Sequence, residues 1–160
     1  IHALIDIDSD AAKETVIELS KMMRYVLYDS ENADISIQKD IRFIENYIGL
    51  MKIRYTDDVD IKFEVEDIPI GAKIPPLIFI VLVENAFKHN AVSPTNKLHI
   101  EIRSEDGWVV VSNNLNPKQT PSESNGFGLK NLRAQYDVLT GKKIKVENDK
   151  HSFTVKIPLL

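Results

Sequence analysis

The chain has 160 residues and no cysteine, so disulfide bonds, thiolate metal sites and cysteine nucleophiles are excluded. Hydrophobic residues make up 43% of it and charged residues 28%, which is typical of a globular protein. A formal net charge of −4 argues against general attraction to nucleic acid or anionic lipid, so affinity for phosphate would require a local site.

No membrane-spanning segment is predicted. The longest apolar run covers residues 74–83 and is interrupted by Pro75 and Pro76, whereas a span needs roughly 20 apolar residues. The chain begins with Ile1 rather than Met, so we expect it to be a piece of a longer protein.

Two amphipathic helices are predicted in residues 1–56. Asp8 or Ser9 can cap the first helix and Ser36 the second, because their side-chain oxygens accept hydrogen bonds from free backbone N–H groups. Two interpretations stay open, an ordinary two-helix packing unit and a stalk for dimerisation. The apolar stripes, at steps of three and four residues, are Ala12, Val16, Leu19, Met23 and Val26, then Ile41, Ile44, Ile48, Met51 and Tyr55.

Residues 57–160 predict a mixed domain of helices and strands. The alternation from Val59 to Val65 predicts a strand. Residues 77–89 predict a buried helix, which follows two prolines suited to a first helical turn. Asp106-Gly107 predicts a hairpin turn. Residues 113–125 predict a mobile polar loop, followed by a helix from Gly126 and two final strands. The expected fold class is α+β, a helical pair followed by a two-layer sandwich with helices on one face of a mostly antiparallel sheet.

The predicted buried helix becomes polar at its C-terminal end. Glu84 and Lys88 share one face there, and Asn85 and His89 share the adjacent face. A carboxylate, an amide oxygen and a cation at one helix end suit a hydrated Mg²⁺ and a triphosphate. The alternative is a solvated Glu84–Lys88 ion pair, worth only about 0.2–0.5 kcal/mol.

A second polar motif contains two glycines. Gly126 and Gly128 precede a predicted helix, where glycine allows backbone N–H groups to approach a phosphate closely. A flexible loop end is the alternative. The order of polar helix end, hairpin, polar loop, glycines and helix favours the phosphate site.

These motifs together resemble the LytS-like sensor histidine kinases. That class belongs to the superfamily with the Bergerat-type ATP-binding fold, which also includes gyrase and MutL. The resemblance covers nearly the whole chain, with all elements in order. It rests on an R-Y element at Arg24 and Tyr25, a Y-I-x-L-x-x-x-R-[FY] stretch at 47–55, an N box at 74–77 and 83–89, and a second glycine box at 126–131.

The resemblance implies the ATP-binding catalytic module of a bacterial two-component sensor kinase. Such a module transfers the γ-phosphate of ATP to a histidine, here expected upstream of Ile1, for relay to a response regulator. The implied cofactors are ATP and Mg²⁺. The intact protein is expected to be a homodimer, with this part on the cytoplasmic side of an inner-membrane anchor. Nucleic acid is not an expected partner.

The resemblance also implies a role for individual residues. Glu84 would be the polar or general-base residue beside the γ-phosphate, and Asn85 would ligate Mg²⁺. Gly126 and Gly128 would hinge the ATP lid. The residues expected to bind ATP or its phosphates are Asn85, Lys88, His89, Asn113, Gly126, Gly128, Leu129, Lys130 and Asn131.

The chain departs from the family pattern in its first glycine box. Asn113 stands where an aspartate normally accepts a hydrogen bond from the adenine amino group, and the glycines of that box are absent. Asn90 also stands where the class often has glycine. Two alternatives therefore stay open, a degenerate scaffold without kinase activity and another ATPase or serine kinase of the superfamily.

The phosphoacceptor motif of the class, N-P-H-F-x-F-N, does not occur in the chain. His2 has the wrong neighbours, and His99 and His151 are expected to be structural or solvated. We therefore expect this chain to carry no phosphoacceptor of its own.

Overall fold

The computed structural model describes residues 8–29, 35–55, 58–65, 68–69, 71–118 and 127–160. No helix in this described part is long and apolar enough to cross a membrane. The helices are α1 (Ser9–Arg24), which continues into a π-helical turn (Tyr25–Asp29), α2 (Ile37–Tyr55), α3 (Ile78–His89) and α4 (Phe127–Thr140).

Helix α1 begins at the predicted cap, but most of its apolar stripe is not covered by the described residues. Asp8 accepts hydrogen bonds from the backbone N–H groups of Asp10 and Ala11 at 3.1 and 3.0 Å. Ala12 is buried, whereas the exposed fractions of the other stripe residues run from 39% to 57%. Contact with α2 depends instead on Tyr25 and Phe43, whose rings stack with centroids 4.7 Å apart.

Helix α2 packs into the same core as the sheet. Ile44 and Ile48 are buried there, and the ring of Tyr55 stacks on Phe87 of α3 with centroids 5.2 Å apart. The predicted stripe of α2 is therefore an internal packing face. A domain boundary between residues 56 and 57 stays a prediction.

The strands of the described part are β1 (Ile35–Ser36), β2 (Val59–Glu64), β3 (Lys73–Ile74), β4 (Leu98–Glu105), β5 (Trp108–Asn114), β6 (Lys145–Asn148) and β7 (Ser152–Pro158). Five of them form the main sheet, in the order β2-β4-β5-β7-β6. Strands β2 and β4 are parallel and the other three pairs antiparallel, which confirms the predicted mostly antiparallel sheet. A separate antiparallel pair joins β1 to β3.

The hairpin between β4 and β5 has the predicted turn. Asp106 and Gly107 both have positive φ, 48° and 79°, which matches the right-handed twist of the two strands. The alternate residues Ile100 and Ile102 of β4 and Val109 and Val111 of β5 are buried in one core with residues of α2, α3 and α4. The helices therefore cover one face of the sheet, as predicted.

The predicted start of the polar loop was wrong by two residues. Asn113 and Asn114 belong to β5, where they pair with Phe153 and Ser152 of β7. Strand pairing on both sides and a hydrogen bond from His99 N to Asn114 Oδ1 at 2.8 Å outweigh the low strand propensity of asparagine. Residues 119–125 of the predicted loop lie outside the described residues.

Helix α3 begins after the prolines and not within them. Its cap residue, Leu77, has a left-handed φ of 64° and makes no side-chain capping bond. The cap comes instead from Asp40 of α2, whose carboxylate accepts from the backbone N–H groups of Leu77 at 2.8 Å and Phe79 at 3.4 Å. The hydroxyl of Tyr25 also donates to Asp40, at 2.7 Å. Burial raises the pKa of Asp40, and these hydrogen bonds oppose the rise.

Helix α4 ends as predicted. Thr140 is its last residue, and Gly141 follows with φ 66°. Within the helix, the buried hydroxyl of Tyr136 donates to the carbonyl oxygen of Pro158, which ties α4 to the end of β7. Burial raises the pKa of Tyr136 to about 12.

Candidate functional site

The last two turns of α3 present the four predicted polar residues together. Their apolar neighbours Leu82, Val83, Ala86 and Phe87 are buried in the core. Because the helix repeats every 3.6 residues, the intervening side chains point away from the core. Those intervening residues are Glu84, Lys88 and His89, which are exposed, and Asn85, which is half-buried.

These four side chains make no hydrogen bond or ion pair with any described residue. In particular, no ion pair joins Glu84 to Lys88 within the described part of the chain, so the alternative of a surface ion pair has no contact to support it there. A carboxylate, an amide, an ammonium and an imidazole therefore lie at one helix end without side-chain partners among the described residues. Such a set is able to bind an external ligand.

The electrostatic environment of His89 favours its neutral form. Partial burial lowers its pKa, and the positive charges of Lys88 and Lys118 lower it further. Lys118 follows β5 and was missed in the sequence analysis, because it is far from α3 along the chain. Its Nζ donates to the carbonyl oxygen of Phe87 at 3.0 Å, and its backbone N–H donates to the carbonyl oxygen of His89 at 3.3 Å.

Asn90, where the family often has glycine, closes the end of α3 with its side chain. Its Nδ2 donates to the carbonyl oxygen of Ala86 at 2.8 Å, and its Oδ1 accepts from the backbone N–H of Asn116 at 2.7 Å. Asn116 in turn accepts from the backbone N–H of Ala91 at 2.7 Å. Glycine has no side chain to make the first two bonds, so this departure from the family pattern fastens the segment after β5 to the helix end.

Asn113 lies on the helix-covered face of β5. It alternates with Val109 and Val111, both in the core, and only 8% of its surface is exposed. Its Nδ2 donates to the carbonyl oxygen of Asn114 at 2.7 Å, whereas its Oδ1 has no hydrogen-bond donor among the described residues. The residue therefore keeps one side-chain acceptor without a described partner, on the face of the sheet that the helices cover.

The start of α4 packs against the middle of α3. A Cβ added at Gly128 would lie 3.9 Å from Cγ1 of Val81. Val81 and Asn85 are four residues apart on α3, so they share a face of that helix. The first turn of α4 packs against this face at Val81. The first turn of a helix has free backbone N–H groups and a partial positive charge, both suited to an anion.

The remaining residues predicted near the glycine box have different environments. Leu129 is half-buried and packs against the core. Lys130 and Asn131 are exposed, and Gly126 lies outside the described residues. The structure thus brings Gly128 close to α3, whereas the role of Gly126 stays a prediction.

A magnesium ion would find oxygen ligands at this helix end. The Asn85 amide and the Glu84 carboxylate have no internal partners in the described chain, and both offer the oxygen atoms that Mg²⁺ prefers. The described residues contain no group of three or more His, Cys, Asp or Glu suited to a metal. The donor set therefore fits an ion held by one or two side chains together with water and phosphate oxygens.

The described histidines other than His89 lie in exposed positions. His99 is on β4 with its Nδ1 3.4 Å from Asp60 Oδ2, and the backbone N–H of His151 donates to Asp149 in the last hairpin turn. His2 lies outside the described residues. The absence of a phosphoacceptor stays a prediction.

Comparisons with known proteins agree with the motifs. Residues 1–59 match the family model described as histidine kinase. The chain is 29% identical to the sensor protein LytS of Staphylococcus saprophyticus, over 92% of this chain and 28% of the relative. It is 34% identical to LytS of Staphylococcus epidermidis, over 64% of this chain and 17% of the relative. The chain thus spans less than a third of the length of the curated relatives it matches.

Solved structures share the fold. The nucleotide-free catalytic domain of histidine kinase ThkA has a TM-score of 0.54 and 20% identity, covering 78% of this chain and 93% of that domain. The cytoplasmic segment of histidine kinase QseC has a TM-score of 0.56 and 17% identity, covering 94% of this chain and 93% of that segment. The predicted fold class and the resemblance derived from the motifs are both confirmed.

Proposed function

We propose that this chain, a relative of the LytS-type sensor histidine kinases, binds Mg²⁺ and ATP between α3 and α4 and supplies the phosphoryl group to a histidine. The observation that carries the proposal is the set of polar side chains on the last turns of α3. The side chains of Glu84, Asn85, Lys88 and His89 have no hydrogen-bond or ion-pair partner among the described residues. Val81, one turn before Asn85, lies 3.9 Å from the Cβ position of Gly128 in the first turn of α4.

Each group on α3 has a role that its chemistry supports. The amide oxygen of Asn85 would ligate Mg²⁺, which neutralises phosphate charge when bound. Lys88 and His89 would donate to phosphate oxygens, because both are exposed at the helix end. Glu84 would orient the attacking imidazole and accept its proton as the ring nitrogen bonds to the γ-phosphorus and ADP departs. Phosphoryl transfer depends mainly on positioning and charge stabilisation, which are the roles proposed for these residues.

The other residues of the site would hold the nucleoside and the phosphate chain. Asn113 Oδ1, without a described donor, would accept a hydrogen bond from the adenine amino group. The backbone N–H groups of Gly128, Leu129 and Lys130 would meet phosphates at the start of α4, with Asn131 and Gly126 completing the glycine box. Lys130 is exposed there and adds a positive charge.

The setting in the whole protein follows from the same proposal. The phosphoacceptor histidine would precede Ile1, and the phosphoryl group would pass to a response regulator. Residues 1–56 would belong to the dimerisation region of a homodimer, with 57–160 as the catalytic domain. The stripe residues of α1 with exposed fractions of 39% to 57% support this, since a second subunit is able to cover them. The protein would be anchored in the membrane, with this part on the cytoplasmic side.

Calorimetry with a non-hydrolysable ATP analogue and Mg²⁺ tests the proposal. We expect a single saturable site in the wild type and loss of the Mg²⁺-dependent part of binding in Asn85→Ala. Asn96→Ala is the matched control, because Asn96 lies in an exposed turn before β4 and its change should leave binding unaltered. No binding by the wild type at millimolar nucleotide would contradict the proposal.

A scaffold without kinase activity is the second candidate. The observation that favours it is Asn113, a neutral amide in place of the usual aspartate, followed by a segment without the family glycines. A hydrogen bond to a neutral acceptor is weaker than one to a carboxylate. The calorimetry separates the two candidates, since only the scaffold predicts no binding.

A further inference from the structure

We propose that Lys118 is a further phosphate-binding residue of this site, contacting the phosphate chain of the nucleotide with its ammonium group. The inference rests on the proposed function and adds to it a residue from the segment after β5. It is carried by the position of Lys118 against the end of α3.

Lys118 reaches the polar end of α3 through two hydrogen bonds. Its Nζ lies 3.0 Å from the carbonyl oxygen of Phe87, and its backbone nitrogen lies 3.3 Å from the carbonyl oxygen of His89. The two carbonyl groups belong to the residues on either side of Lys88. Lys118 therefore lies against the part of α3 that carries the residues proposed to bind phosphate.

The ammonium retains donors for a ligand. A lysine ammonium has three N–H donors, and the described residues use one of them, on Phe87. The side chain is exposed, so the other two donors face solvent. A phosphate oxygen is charged, and a hydrogen bond to it is stronger than one to a neutral carbonyl, so a phosphate would compete well for this group.

The backbone around Lys118 is held in place before a ligand arrives. Asn90 Oδ1 accepts a hydrogen bond from the backbone N–H of Asn116 at 2.7 Å, and the backbone N–H of Ala91 donates to the carbonyl oxygen of Asn116 at 2.7 Å. Pro117 also forms an isolated antiparallel β-bridge with Asn90. Little backbone ordering is then needed on binding, which favours affinity.

The charge balance at this end of α3 also favours an anion. Burial lowers the pKa of His89, and Lys88 and Lys118 lower it further, so both ammonium groups lie close enough to the ring to oppose its protonation. Two positive charges near His89, against the single carboxylate of Glu84 on the same helix end, favour a negatively charged ligand.

A purely structural role for Lys118, as a cap of α3, is the competing explanation. Lys118→Gln separates the two, because glutamine keeps a donor for the Phe87 carbonyl and loses the positive charge. Lys142→Gln is the matched control, since Lys142 Nζ likewise donates to a backbone carbonyl, that of Leu159, at 2.6 Å, and follows the end of α4.

The experiment is calorimetric titration of the purified chain and both variants with ATP, ADP and adenosine in the presence of Mg²⁺. We expect Lys118→Gln to lower the affinity for ATP and for ADP about tenfold, which is the order expected for the loss of one charge-assisted hydrogen bond. Adenosine, which has no phosphate, should bind the variant and the wild type equally, and Lys142→Gln should match the wild type for all three ligands.

The outcomes distinguish the inference from the function on which it rests. Failure of the wild type to bind any nucleotide would overturn both. If the wild type binds ATP and Lys118→Gln binds it equally well, only the role of Lys118 is overturned. Equal weakening of ATP and adenosine would show that Lys118 acts by holding α3 and would also overturn the inference.

Discussion

The side-chain nitrogen of Asn113 lies 2.7 Å from the carbonyl oxygen of Asn114 and donates a hydrogen bond to it. This bond fixes the orientation of the amide, so Oδ1 is the atom left for a ligand. An asparagine held in this way presents an acceptor, as the aspartate of the family does, but without its negative charge.

Asn113→Asp should therefore increase the affinity for ATP and lower the stability of the fold. The gain in ATP binding should be at most about 1–2 kcal/mol, the difference between a neutral and a charge-assisted hydrogen bond. The free energy of unfolding should fall by a similar amount, about 1–2 kcal/mol, because a carboxylate oxygen would face the Asn114 carbonyl without a proton between them. Competition of ATP with GTP and denaturant unfolding measure the two effects. Weaker ATP binding, or an unchanged ATP-to-GTP ratio, would show that Asn113 is not the adenine contact.

Asn90→Gly should loosen the junction between α3 and the segment after β5. It removes two side-chain hydrogen bonds at a buried position, and we expect a loss of about 2–3 kcal/mol in the free energy of unfolding. The backbone N–H of Asn116 should exchange with solvent faster than in the wild type, as measured by hydrogen exchange.

Asn90→Asp is the control for this variant, since it keeps the acceptor for the Asn116 N–H and loses the donor to Ala86. It should protect Asn116 better than Asn90→Gly does. Equal exchange at Asn116 in all three proteins would contradict the role given to Asn90.

The stabilising effect of Asp40 should decline as pH rises. Burial raises its pKa in the folded protein above the ordinary value of 3.8, so its favourable contribution is complete below that value and is lost as pH rises through the folded pKa. Asparagine does not titrate. Asp40→Asn should therefore lower the free energy of unfolding most at acid pH, by about 1–2 kcal/mol, and by less near neutrality.

Denaturant unfolding at several pH values measures this difference, with Asp106→Asn, at the exposed hairpin turn, as the control. If the cost of Asp40→Asn grew with pH, the hydrogen bonds from Tyr25, Leu77 and Phe79 would outweigh burial. That result would contradict a raised pKa for Asp40 in the folded protein.

Local patterns in the sequence predict most of the fold. The alternation in β2 and β4, the Asp-Gly turn and the glycine after α4 each depend on neighbouring residues, so periodicity and turn chemistry identify them. The motifs on α3 are likewise local, and helical geometry alone places Glu84, Asn85, Lys88 and His89 together.

The features that sequence reasoning missed depend on residues far apart in the chain. Asp40 caps a helix 37 residues away, and Lys118 reaches a carbonyl group 31 residues away. No local pattern indicates such partners. The two asparagines at the end of β5 were assigned to a loop because their composition favours one, whereas pairing with β7 keeps them in the sheet.

Phosphorylation of the full-length protein tests the central claim most directly. Incubation with ATP labelled at the γ-phosphate should place acid-labile label on a histidine upstream of Ile1, and Asn85→Ala in the same protein should abolish it. The chain of residues 1–160 alone should stay unlabelled under the same conditions. Label that persists in Asn85→Ala, or stable label on His99 or His151 of this chain, would contradict the account.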